Sequence, residues 1–123
     1  MSAVTGLARG AVASVWLYEG LWCKLVRPDA GQLAIVSGVP GAGSWSDGLL
    51  VLIGLAETAL AGWVIWGRAG RAAAAVQTVL LVAFNAGGLL FGAGHIDEPG
   101  RMLTANAALL AAAWLLPERA RRA

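Results

Sequence analysis

A chain of 123 residues has room for one domain, and at 59% hydrophobic and 13% charged residues it falls well short of the roughly 25% charge of soluble domains. Long stretches almost free of charge account for the deficit and leave no room for a separate soluble catalytic domain. A net charge of +2 gives no footing for a nucleic-acid partner, and a single cysteine, Cys23, rules out an internal disulfide or a multi-cysteine metal site.

In chain order, the first apolar run covers about residues 4–25 and is interrupted by Arg9 and Glu19. No Lys or Arg precedes Arg9, and the run continues past Glu19, so it reads as a membrane span and not as a cleavable signal. Arg9 lies within snorkelling reach of one interface. Residues 26–47 form a linker. Within it Asp29, followed by Gln32 three residues on, makes a capping-box pattern that predicts a short helix carrying Leu33, Ala34, Ile35 and Val36. Gly38 and Pro40 end it. Too short to span a bilayer, it is expected to be interfacial or re-entrant. The second span is expected over 48–66, with Glu57 near its middle, and the third over 72–91, with Gln77 and Asn85 inside. The loop before Pro99 holds His95, Asp97 and Glu98. Pro99 suits the first turn of the fourth span, 100–116, which contains Asn106 and which Pro117 is expected to stop.

The expected architecture is therefore all-α: a single membrane domain, an integral membrane four-helix bundle with a short interfacial or re-entrant helix between the first and second spans. Basic residues orient it in the cytoplasmic membrane. Arg9, Arg68, Arg71, Arg119, Arg121 and Arg122 share one side, which places both termini in the cytoplasm, while Lys24, Arg27 and Arg101 lie outside. Trp22 and Trp45 fall near the outer interface, Trp63, Trp66 and Trp114 near the inner one, and Trp16 in mid-membrane.

Depth groups the buried polar residues. With a helical rise of 1.5 Å per residue, Glu19, Glu57, Asn85 and Asn106 lie roughly 8, 14, 10 and 8 Å below the outer ends of their spans. Each span thus contributes one polar group to a common layer. Ionisable groups at such depth are costly, and two carboxylates there point to a shared polar cavity that binds a ligand or carries protons. Asn85 and Asn106 can donate and accept within it, or serve as interhelical glue. Trp16, Glu19 and Cys23, spaced by three and four, share one helical face that could line the cavity; Cys23 also reads as a small packing residue. His95 and Asp97 are candidates at the outer mouth or members of a solvated loop. A lone histidine without a cysteine cluster gives no reason to expect a metal.

The run Trp16-Leu17-Tyr18-Glu19-Gly20-Leu21-Trp22-Cys23-Lys24-Leu25 resembles the first-helix signature of DoxX-like membrane proteins. Similar family features are Gly54-Leu55-Ala56-Glu57, Asn85-Ala86-Gly87-Gly88-Leu89-Leu90, and Asp97-Glu98-Pro99-Gly100-Arg101-Met102 leading to Asn106. The resemblance covers nearly the whole chain. It implies a compact four-helix bundle in a family whose name-giving members are linked to a membrane thiosulfate:quinone oxidoreductase and whose other relatives are linked to thiol-redox complexes. With Cys23 alone, this chain has no cysteine pair for a dithiol mechanism of its own.

The residues leave three functional readings open. One is a redox-associated membrane subunit holding a quinone or another small apolar molecule among the polar groups. The second is a structural accessory subunit of a larger membrane complex, or a homo-oligomer. The third is a small proton- or cation-coupled carrier. Nothing in the residues favours an independent enzyme.

Overall fold

The computed structural model describes residues 3–122 of the chain, with side chains as far as Glu118. The side chains of Arg119, Arg121 and Arg122, expected to mark a cytoplasmic end, lie outside the described residues. The described chain is all helical. Helix α1 (Ala3–Leu17) continues without a break as a π-helical segment, Tyr18–Val26. It is followed by α2 (Ala30–Ser37), α3 (Ser46–Trp66), α4 (Gly70–Phe91) and α5 (Pro99–Arg122), with short 3₁₀ turns at Gly43–Trp45 and Ala93–His95.

Pro28 ends the first rod. A residue before proline is pushed out of helical geometry, and Arg27 leaves it at φ −131°, ψ 83°. The last π turn closes with Arg27 N–H donating to the Trp22 carbonyl at 2.8 Å. Asp29 then caps α2, its side chain accepting from the Gln32 N–H at 2.9 Å. The Gln32 side chain does not return to the cap, as a reciprocal capping box requires; it donates to Glu19 at 3.1 Å. Asp29→Ala is expected to cost about 1 kcal/mol, localised to α2. Faster hydrogen exchange at the amides of residues 31–37, with the other helices unchanged, is the measurement that checks it.

A tight turn joins α3 to α4. Gly67 adopts the left-handed region (φ 78°) as the C-cap of α3, with its N–H on the Trp63 carbonyl, and Ala69 also has positive φ (52°). The expectation that Pro117 stops the last helix is corrected: α5 runs through it to Arg122. The ring packs at Gly70, where any side chain would crowd it, and the next residue, Glu118, is held by Arg71 at 3.1 Å. These anchors offset the carbonyl hydrogen bond that proline forgoes.

The four long rods pack in a ring. The first lies along α3 through both its α and π portions, α3 touches α4, α4 packs against α5, and α5 closes back on α1. The core is a cluster of Val12, Ala13, Trp16, Leu60, Ala61, Val64, Leu81 and Leu116. Helix α2 lies against α3, α4 and the 3₁₀ turn at Ala93–His95, across the end of the ring that holds the π segment.

Two helical stretches, Gly43–Trp66 and Gly70–Phe91, are long and apolar enough to cross a membrane. Only 33% and 22% of their most apolar windows are buried within the protein, whereas the core helix of a soluble domain is mostly buried. Leu52, Leu55, Val79, Val82 and Leu90 point outward with more than half of their surface free. An apolar exterior of this extent suits lipid and not water.

Candidate functional site

A cavity of ≈ 630 Å³ opens between the rods at the α2 end. Its wall is chiefly apolar, with Trp16, Ile35, Leu50, Ile53, Phe84 and Leu109 among the lining residues. Polar groups enter from two opposite sides.

On the α1 and α3 side, the centre is Lys24. Its ammonium lies 2.6 Å from Glu57 Oε1 and 3.9 Å from Glu19 Oε2, and it donates to the Glu19 carbonyl at 3.1 Å. The Lys24 and Glu57 side chains are 10% and 4% exposed, while Glu19 is 43% exposed. Glu57 Oε1 meets the ammonium as an ion pair and not as an aligned hydrogen bond. The π segment brings this about. Its i→i+5 bonding lets Lys24 fold back on Glu19, five residues earlier, while it faces Glu57 of α3. Gln32 of α2 completes the cluster by donating to Glu19, and its own Oε1 is buried with no hydrogen-bond partner among the described residues.

The α4 and α5 side carries Asn85 and Asn106. Asn106 Nδ2 donates to Asn85 Oδ1 at 2.9 Å, and Asn85 Nδ2 donates to the Leu81 carbonyl at 2.6 Å. Each amide keeps a further N–H beyond these bonds. Asp97, Glu98 and Arg101 line the rim; Arg101 and Glu98 pair at 3.1 Å, both well exposed. The cavity floor is Trp16, whose indole N–H donates to Gln77 Oε1 at 2.9 Å, tying α1 to α4 across the ring. Gln77 also donates to the Ala73 carbonyl, so it acts as an internal strut.

Of the residues singled out from sequence, the structure places Glu19, Glu57, Asn85, Asn106, Trp16 and Asp97 on the wall of this one cavity. Cys23 and His95 are not on it. Cys23 is a half-buried free thiol, and His95 is exposed in its 3₁₀ turn. The asparagines bond each other, and the partner of Glu57 is Lys24. Lys24 and Gln32 are site residues that sequence reasoning missed. For Lys24 the signal was a lone lysine five residues after Glu19 in an otherwise apolar run; α-helical spacing put Cys23 on the inner face in its place. For Gln32 the capping pattern masked a side chain free to point elsewhere. Among the described residues, no group of three or more His, Cys, Asp or Glu is placed to hold a metal ion.

Chemically, the cavity presents an ammonium, two carboxylates and a buried open acceptor on one side, and amide donors on the other, separated by apolar wall. That arrangement can orient a flat apolar molecule with a polar oxygen at each end. Comparison with known families matches residues 13–114 to the DoxX-like family. Neither a curated protein nor a solved structure matches.

Proposed function

We propose that this chain, which belongs to the DoxX-like family, crosses the cytoplasmic membrane four times and holds a quinone or a similar small apolar carbonyl compound in the cavity. The spans are α1 with its π extension, α3, α4 and α5; both termini are cytoplasmic, and α2 lies at the outer surface over the cavity. The observation that carries this reading is the cavity itself. Its ≈ 630 Å³ falls in the range of small-molecule sites, about 300–1,000 Å³, and its few polar groups converge from opposite sides of an apolar lining.

The residues present fit such a ligand. Lys24 and the Asn85–Asn106 pair supply donors for two carbonyl oxygens, and the open Gln32 Oε1 and the Glu57 carboxylate supply acceptors for hydroxyl groups. A bound quinone would supply two-electron, two-proton redox chemistry. The protein's part is to bind, to exclude water and to hold a proton near the ligand oxygen on the α3 side. The ion pair also bears on the carrier reading: Lys24 already occupies the position a cation would take between Glu19 and Glu57.

Mass spectrometry of the full chain, purified from its native membrane in mild detergent, tests the proposal. A quinone retained at about one per chain is the expected result. In Asn106→Leu, with helix content unchanged, retention should fall by about tenfold, the equivalent of roughly one hydrogen bond to the ligand. A chain that carries no quinone and does not take up an added short-chain benzoquinone would sink the reading. Recovery in fixed ratio with a larger complex and without ligand would favour the accessory-subunit role.

A further inference from the structure

At the opposite end of the ring lies a second cavity, ≈ 380 Å³, built from the turn between α3 and α4 and the ends of α1 and α5. Three arginines line it, Arg9, Arg68 and Arg71, and among the described residues no carboxylate does. The Arg9 guanidinium reaches across from α1 to lie against Gly67, so closely that a Cβ there would sit 3.0 Å from its Cζ. Arg68 stands over the Trp66 ring at 5.4 Å, and Arg71, in the first turn of α4, pairs with the half-exposed Glu118 outside the lining. Beside these charges the wall is apolar, formed by Trp63, Leu116 and Pro117 among others. Ile65, Trp66, Trp114 and Leu115 are exposed nearby.

Three arginines in the lining of one cavity give it a positive character that suits an anion. Arginine is built for this, because each carries five N–H donors in a planar fork that matches phosphate oxygens, and one existing partner leaves donors to spare. The first turn of α4 adds no acidic residue and no side-chain cap to oppose an anion. The apolar wall and the exposed tryptophans and leucine make half of the surroundings suitable for acyl chain. We propose that this cavity binds the phosphate of an anionic lipid, with its acyl chains lying on the outward faces of the adjoining helices. This inference rests on the membrane reading of the chain and is independent of the ligand in the larger cavity.

The test uses the full chain in micelles containing equal amounts of phosphatidylglycerol and phosphatidylcholine, with retained lipids counted by native mass spectrometry. Phosphatidylglycerol should be retained about tenfold over phosphatidylcholine, and Arg68→Gln and Arg9→Gln should each remove most of that preference. Arg101→Gln, at the other end of the molecule, should leave it intact. Arg68 is exposed, so its loss does not threaten folding, and Arg68→Lys should retain part of the preference through charge alone. Equal retention of both lipids, or equal loss in Arg101→Gln, overturns the proposal. Binding of inorganic phosphate that displaces the lipid at millimolar concentration overturns the lipid as the source of the anion. A chain that stays monodisperse in water without detergent overturns the membrane premise instead, and is told apart by that readout.

Discussion

Lys24→Met is expected to destabilise the protein by about 3–5 kcal/mol, the typical cost of removing one partner from a buried ion pair. The cause is what the substitution leaves behind and not the loss of an attraction. Glu57 is 4% exposed and faces Lys24 at 2.6 Å, and the nearest other ionisable group on that wall is Glu19, of the same charge. Without the ammonium, the Glu57 carboxylate is an uncompensated charge in an apolar cavity wall. The double variant Lys24→Met/Glu57→Leu removes both charges and should recover most of the lost stability, because well-packed apolar residues often replace a buried pair at no net cost. Thermal unfolding in detergent, followed by near-ultraviolet circular dichroism, reads both. Ligand retention then separates structure from function: the double variant should be folded and empty. A single variant as stable as the parent would show that Lys24 does not neutralise Glu57.

How much of this site the sequence discloses depends on which period the helices keep. The depths of Glu19, Glu57, Asn85 and Asn106 follow from a fixed rise per residue and from apolar run lengths, and neither depends on side-chain direction. Direction is where inference from spacing fails. Spacings of three and four put Trp16, Glu19 and Cys23 on one face, but the chain changes to π-helix at Tyr18, so the face rotates and Lys24 turns inward in place of Cys23. No residue in that stretch announces the change, which is stabilised by tertiary contact with α3 and by the Lys24–Glu57 pair. The short helix α2 was legible because its cap is local chemistry between Asp29 and the Gln32 amide. Its tie to the cavity wall was not, since that depends on Gln32 reaching Glu19, thirteen residues earlier. The arginine cavity was half legible. Arg9, Arg68 and Arg71 fall on one side by charge bias, but only the αL turn at Gly67 and the antiparallel return of the helices bring the three arginines to one cavity.

A close helix approach sits directly behind this ion pair, and Gly20→Leu is expected to cost about 3 kcal/mol through it, at the upper end of overpacking effects. A Cβ on Gly20 would stand 2.7 Å from the Glu57 Cβ, 2.8 Å from the Gly54 carbonyl oxygen and 2.9 Å from the Thr58 backbone nitrogen. Two of these three atoms are backbone and cannot rotate aside. The facing position is as tight: a Cβ on Gly54 would meet the Lys24 Cβ at 2.8 Å and the Gly20 carbonyl oxygen at 3.0 Å. The first rod and α3 therefore touch backbone to backbone at the level of Lys24 and Glu57, and that proximity allows the short ion pair to form. Even Gly20→Ala should destabilise, because its gain in helix propensity of up to about 1 kcal/mol is set against a clash with backbone. The two glycines share one gap, so their effects should not add. Once Gly20→Ala has pushed the helices apart, Gly54→Ala should cost less than it does alone, with a coupling on the order of 1 kcal/mol. A double-mutant cycle on thermal or denaturant unfolding in detergent measures that coupling. Strictly additive costs would mean that the two positions do not share a contact, and the packing that places Lys24 against Glu57 would have to be drawn differently.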